Sequence, residues 1–316
     1  MCSKSEADIM RLFAGVLLPA VLAGCCAAAD WGLDRGPAPP EIHPTIRLDA
    51  NLVLVPVTVT DTRGKLIPNL HRTDFALQEN DSPQQLLSFS REDAPISLGI
   101  VVDLSGSMAT KLDKTRVAVD EILKKLQPAD EAFLVTFSET VELRVGITSD
   151  VSEIQAGFSL AKTEGRTPLY DAVALAFREM QKARNERKAL FLVSDGGDNH
   201  SRITKRQLGR MVAEEEVQIH AIGIHDSWAT MEDRMGMKVL EDLASMTGGQ
   251  YHMLHDPAEL PGIAQRMSLA LHDRYLLGYR PMPTGTPGTF RRIRVKVLRP
   301  KGARFSVYAR RGYWMP

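Results

Sequence analysis

Ser97-Leu98-Gly99-Ile100-Val101-Val102-Asp103-Leu104-Ser105-Gly106-Ser107-Met108 is the stretch whose reading decides the fold. Its apolar run, Leu98 to Val102, is far too short to span a membrane and rich in β-branched residues, the pattern of a strand covered on both faces of a parallel sheet. The run stops on polar chemistry. Asp103, Ser105 and Ser107 follow at alternate positions, Gly106 permits a tight turn, and a helical pattern begins a few residues on. Three oxygen-bearing side chains are thereby expected at the carboxyl end of a strand, where open α/β sheets bind their ligands. Taken alone, the same pentapeptide also fits a strand end followed by a helix cap, with Ser107 bonding free backbone amides.

Two further segments bear on the choice. Gly165-Arg166-Thr167-Pro168-Leu169-Tyr170-Asp171-Ala172 places Thr167 in a loop just before a predicted helix. Ala189 to Asn199, A-L-F-L-V-S-D-G-G-D-N, repeats the opening logic: a buried strand ends at Asp195, and Gly196 and Gly197 turn the chain away. Oxygen donors of this kind, mostly hydroxyls, suit Mg²⁺ or Mn²⁺ better than zinc.

D-x-S-x-S, then a threonine in G-x-T-x-L-x-D-A, then the aspartate of S-D-G, resembles the metal-ion-dependent adhesion site of von Willebrand factor type A (VWA) domains, over roughly residues 95 to 272. The resemblance implies an α/β fold, a doubly wound and mostly parallel sheet. It also implies that Ser105, Ser107 and Thr167 hold a divalent ion (Mg²⁺, or Mn²⁺ or Ca²⁺) through hydroxyls, while Asp103 and Asp195 act mostly through waters or hydrogen bonds. Neutral ligands leave such an ion electrophilic toward an incoming carboxylate. The implied partner is therefore a protein presenting an Asp or Glu. Arg166 departs from the family pattern, which has a small residue there; a cation at that position either competes with the metal or attracts an acidic partner.

At 316 residues the chain has room for one large or two modest domains, and with Lys+Arg and Asp+Glu both at 39 its formal net charge of +0 gives no global field toward nucleic acid. All three cysteines, Cys2, Cys25 and Cys26, sit at the amino terminus, so the body is held without disulfides.

Met10 to Ala29 has a basic residue, an apolar stretch and small residues in the order of a secretory signal, and a start at Met10 gives a cleaner signal than Met1. Leu22-Ala23-Gly24-Cys25 resembles the bacterial lipobox. That resemblance implies acylation at Cys25 and a membrane-anchored lipoprotein facing the periplasm or cell surface; cleavage after Ala29 and simple secretion is the alternative. The expected organisation is a signal with lipobox over 1–29, a Pro/Gly-rich tether over 30–44, sandwich strands over 45–94, the VWA domain over 95–272 and returning strands over 273–316.

Outside the central region the pattern changes to alternation. Val53, Val55, Val57 and Val59 share one face of a strand, and Pro56 suggests a sheet edge. Leu66 to Leu70, Asp74 to Glu79 and Gln85 to Ser90 read as further short strands, with a turn at Asn80-Asp81. Four strands are few for a sandwich, and Arg274 to Arg280, Phe290 to Leu298 and Arg304 to Ala309 supply the missing ones. The two chain ends are thus expected to pair into one small β-sandwich with the VWA domain inserted, an arrangement similar to the hybrid domain of integrin β chains. The pattern at both ends also looks like the VWFA-related domain family of exported acidobacterial proteins. A basic series, Arg291, Arg292, Arg294 and Lys296 with Arg299, Lys301, Arg304, Arg310 and Arg311, reads as the wet face of a hairpin.

Between these ends, helices are expected over residues 111–126, 151–160, 168–183, 204–215, 232–246 and 257–272. Asp171 is expected to bond the Thr167 loop. His220, His225, His252 and His255 lack the spacing of a zinc site and read as solvent or core residues. Catalysis is not expected: a haloacid-dehalogenase-type phosphatase needs an aspartate where Ser105 stands, and D-L-S-G-S is not the G-x-S-x-G of a serine hydrolase. The competing functions are a structural module of an envelope complex without metal dependence and, behind it, a metal-dependent hydrolase.

Overall fold

The computed structural model describes residues 52–159, 163–224, 231–282, 286–298 and 304–315. The signal, lipobox and tether lie outside the described residues, as does His225. Among the described residues no helix is long and apolar enough to cross a membrane.

Four amino-terminal strands open the fold: β1 (Val53–Asp61), β2 (Phe75–Glu79), β3 (Ser82–Gln84) and β4 (Leu86–Glu92). Four more close it: β11 (Arg274–Tyr279), β12 (Phe290–Val297), β13 (Phe305–Ala309) and β14 (Gly312–Trp314). They interleave as two four-stranded sheets, β13-β1-β11-β4 and β14-β12-β2-β3. Each sheet takes strands from both ends of the chain, so neither end completes a sheet alone. Val55, Val57 and Val59 from one end meet Leu277, Tyr279 and Ile293 from the other in a shared core, as the period-two alternation requires.

Three local expectations are corrected. Leu66 to Leu70 is not a strand: Leu66 alone bridges to Thr60, and the Tyr275 hydroxyl accepts from the Leu70 amide (2.9 Å) and donates to the Ile67 carbonyl (2.7 Å). Pro68 cannot donate to a ladder, and the tyrosine satisfies the backbone instead. β1 lies inside its sheet rather than at an edge, but its register with β13 begins at Val57, so the stretch carrying Pro56 is paired by β11 on one side. Arg291 is buried rather than wet. It is in phase with Ile293 on the inner face of β12, while Arg292, Arg294 and Lys296 point outward.

The inserted domain runs in the order β5 (Ile96–Asp103), α1 (Leu112–Leu123), β6 (Glu131–Phe137), β7 (Val141–Thr148), α2 (Val151–Ser159), α3 (Leu169–Met180), β8 (Arg187–Ser194), α4 (Lys205–Glu214), β9 (Val217–Ile224), α5 (Met231–Thr247), β10 (Tyr251–Leu254) and α6 (Leu260–His272). Its sheet has the order β10-β9-β8-β5-β6-β7, parallel except for β7, which pairs antiparallel with β6 at the edge. β5, β6 and β9 are buried along their whole length, and β8 is buried except at Lys188. Ile100, Val102, Phe191 and Val193 pack on the face carrying α1, α2 and α6. Val101, Leu190 and Leu192 pack on the face carrying α3, α4 and α5. This is the doubly wound α/β arrangement.

Candidate functional site at the sheet switch point

The chain leaves β5 toward β6 and β7 on one side and later builds β8, β9 and β10 on the other, so the topology reverses between β5 and β8. Ligand crevices in open α/β sheets lie beyond the carboxyl ends of the strands at this point. Asp103 ends β5, and Asp195 follows immediately on β8.

The Asp103 side chain is fully buried. One carboxylate oxygen accepts from the Ser105 amide (2.9 Å), the other from the Ser194 hydroxyl (2.6 Å). Ser194 in turn accepts from the Gly196 amide (2.8 Å), tying the Asp195 turn to the same aspartate. Burial, and next the negative charge of Asp195, push the Asp103 pKa up to about 7. Neutral donors alone serve Asp103, so its carboxylate is left short of positive charge.

Above Asp103, the Ser105 and Ser107 hydroxyls stand 3.1 Å apart, Ser105 buried and Ser107 exposed. Ser105 begins a 3-10 turn, Gly106–Lys111, yet its side chain makes no cap bond. The Thr167 loop joins this one through the Gly106 amide on the Gly165 carbonyl (3.1 Å). It joins the β8 loop through two bonds: the Thr167 amide donates to the Asn199 side chain (2.9 Å) and the Asn199 amide to the Thr167 carbonyl (3.1 Å). The loops carrying Asp103, Ser105, Ser107, Thr167 and Asp195 thus form one rim.

The donor set fits a small hard cation. Ligands at about 2.0–2.1 Å on adjacent corners of an octahedron stand about 2.9 Å apart, close to the Ser105–Ser107 separation. Among the described residues no three His, Cys, Asp or Glu side chains gather to cage an ion. His220 is buried with its Nδ1 accepting from the Gln250 amide (3.3 Å), and His252 pairs with Gln250 (3.3 Å).

Four contributors escape a motif search. Lys111, at the end of the 3-10 turn, is buried and donates to Asp195 Oδ2 at 3.1 Å. Ser194 and Asn199 act through the bonds above, and Asp198 accepts from the Tyr170 amide (3.2 Å) and the Ser201 hydroxyl (2.5 Å). Asp171 does not bond the Thr167 loop. Its carboxylate instead accepts from the Arg202 and Ile203 amides (2.9 and 3.1 Å), bracing the β8 loop on α3. Arg166 is exposed at the mouth, 3.3 Å from His200 Nδ1.

Gly196 holds this rim in register. Its φ is +85°, and a Cβ there lies 2.1 Å from the Gly236 carbonyl oxygen in the second turn of α5. Gly196→Ala is expected to cost at least about 2 kcal/mol, because a left-handed backbone and a backbone clash act together; a urea midpoint shift checks it.

An inserted doubly wound sheet with a hydroxyl-rich rim at its switch point defines the class. Residues 98–197 match the family profile of the von Willebrand factor type A domain, and this part of the chain is a VWA domain. Human von Willebrand factor A domain-containing protein 3A is 25% identical over 161 residues, 48% of this chain and 13% of that protein. The chain thus spans a small part of that relative's length. Among solved structures, a von Willebrand factor type A protein from Catenulispora acidiphila is 16% identical with a TM-score of 0.49, covering 77% of this chain and 74% of that one. BatB from Bacteroides thetaiotaomicron is 18% identical with a TM-score of 0.45, covering 55% and 98%.

Proposed function

We infer that this chain is a binding module whose VWA rim engages a protein partner through a divalent ion, Mg²⁺ in the first place. Asp103, Ser105, Ser107, Thr167 and Asp195 hold the ion. When bound, the ion supplies an electrophilic point that an Asp or Glu of the partner completes. Ser105, Ser107 and Thr167 contribute hydroxyls without cancelling its charge, and Asp103 and Asp195 supply the field that retains it. Cys25 acylation after export would hold the module at a membrane surface, with simple secretion as the alternative. No nucleophile with a supporting base is part of this reading, so the protein acts by binding.

The observation that carries this reading is the pair of hydroxyls 3.1 Å apart above a buried, undercompensated Asp103. One observation favours a metal-independent structural module instead: Lys111 already supplies Asp195 with a cation. Mn²⁺ titration of the full chain by electron paramagnetic resonance separates the two. The wild type is expected to bind one ion, and a Ser105→Ala, Ser107→Ala double variant to bind at least about tenfold more weakly. Proteins captured from envelope extract should depart on EDTA treatment. A wild type that takes no Mn²⁺, or capture indifferent to EDTA, rejects the metal reading.

A further inference from the structure

We propose that Lys111 is an internal competitor for the metal: its ammonium holds Asp195 in the metal-free rim and must leave when a divalent ion binds. This rests on the reading of the rim as a metal site and concerns a residue outside the expected ligand set.

Lysine is among the residues least often buried, and a buried one is normally paired. The Lys111 side chain is 10% exposed and the Asp195 side chain 12%. Their 3.1 Å contact spans 84 residues and joins the turn that follows the hydroxyl pair to the turn that follows β8. Lys111 arrives there because the 3-10 turn, Gly106–Lys111, starts at Ser105 itself and ends with Lys111 turned inward. One short turn therefore presents both the hydroxyls that receive the ion and the cation that opposes it. Its position is secured at the backbone, where the Lys111 carbonyl accepts from the buried Thr115 hydroxyl at 3.0 Å.

Asp195 cannot serve both charges fully. An ammonium and a divalent ion sharing one carboxylate in a poorly solvated pocket repel each other strongly, since little water screens them. In the metal-free state the ammonium keeps Asp195 from facing Asp103 uncompensated, so the rim stays assembled. A bound ion would supply that charge instead, and the flexible lysine stem would then be released from Asp195. The site then exchanges one cation for another and does not depend on metal to fold.

The test is Mn²⁺ and Mg²⁺ affinity of the full chain by titration calorimetry, with wild type, Lys111→Met and Lys111→Gln. Both variants are expected to bind Mn²⁺ at least about tenfold more tightly, while their metal-free forms unfold at lower urea than wild type. A second readout uses wild type alone: acetylation of Lys111 by acetic anhydride, followed by mass spectrometry, should rise severalfold when Mg²⁺ is added. If the variants bind metal with unchanged or weaker affinity, or if metal binds without altering Lys111 labelling, the competitor role is overturned although the metal site stands. If neither wild type nor variants bind Mn²⁺, the metal reading falls and this proposal with it.

Discussion

Glu79→Ala is expected to destabilise the folded chain by about 3–5 kcal/mol, read as the shift in urea midpoint at constant slope. Glu79 is buried at the end of β2. One carboxylate oxygen accepts from Arg291 on β12 at 2.6 Å, and the other accepts from the hydroxyls of Tyr279 on β11 (2.6 Å) and Tyr313 on β14 (2.9 Å). A single amino-terminal side chain therefore fastens three carboxyl-terminal strands belonging to both sheets. Removing it leaves a buried guanidinium and two phenols without their acceptor, the costly way to break an ion pair. Burial, joined by the bond to Glu79, drives the Tyr279 pKa upward. Glu79→Leu combined with Arg291→Met should cost less than Glu79→Leu alone, because the double change removes the orphaned charge. A single-variant loss below about 1 kcal/mol would show that the network does not bind the two chain ends.

The fold could be read largely from hydrophobic period. β5 and β8 are covered on both faces at their centres, so Leu98 to Val102 and Ala189 to Val193 appear as unbroken apolar runs. The sandwich was readable because strands at both ends alternate with period two and neither set suffices. β3 and β14, three residues each, are too short to show a period. Leu66 to Leu70 was misread because its apolar residues do reach the core; what it lacks is a ladder, and sequence shows burial more clearly than backbone pairing. Arg291 was visible in principle, since the alternation that turns Arg292 and Arg294 outward turns Arg291 inward.

The rim divides in the same way. Asp103 and Asp195 were readable because each ends a buried run, where polar residues are conspicuous. Thr167 was picked out by motif order. Lys111 was not, because a lysine near a helix start ordinarily marks a solvated face, and only the three-dimensional path of the Gly106–Lys111 turn brings it to Asp195. Ser194 and Asn199 act through bonds to Asp103 and Thr167 on loops distant in sequence, which leave no periodic trace.

Asp130→Ala is the second change expected to cost about 3–5 kcal/mol, with a pH signature that identifies its cause. Asp130 and His272 are buried, and His272 Nε2 meets Asp130 Oδ2 at 2.9 Å while His272 Nδ1 meets the Ser268 carbonyl at 3.0 Å. Both ring nitrogens face acceptors, which the doubly protonated imidazolium alone satisfies. Burial by itself lowers the His272 pKa, but the bond to Asp130 and its charge prevail and raise it, against the nearby Arg187 guanidinium. Burial likewise raises Asp130, yet His272 and the Gln127 and Ile96 amides prevail and lower it. A raised histidine stabilises fully below its unfolded value of about 6.5, and the gain is lost as pH rises through the folded value; a lowered aspartate stabilises above about 3.9, and that gain is lost as pH falls. Wild-type stability should therefore decline as pH rises above about 6.5, and His272→Gln should remove that decline while being less stable at pH 6. The pair secures the ends of the inserted domain. Asp130 Oδ1 accepts from the Ile96 amide that opens β5 (2.9 Å), and Arg187 donates to the carbonyls of Ala94 (3.3 Å), His272 (2.8 Å) and Leu271. These groups sit at the amino ends of β5, β6 and β8, opposite the hydroxyl rim. Variants here should lower stability while leaving Mn²⁺ affinity unchanged in the folded protein, and a parallel loss of affinity would mean that the two ends of the sheet are coupled.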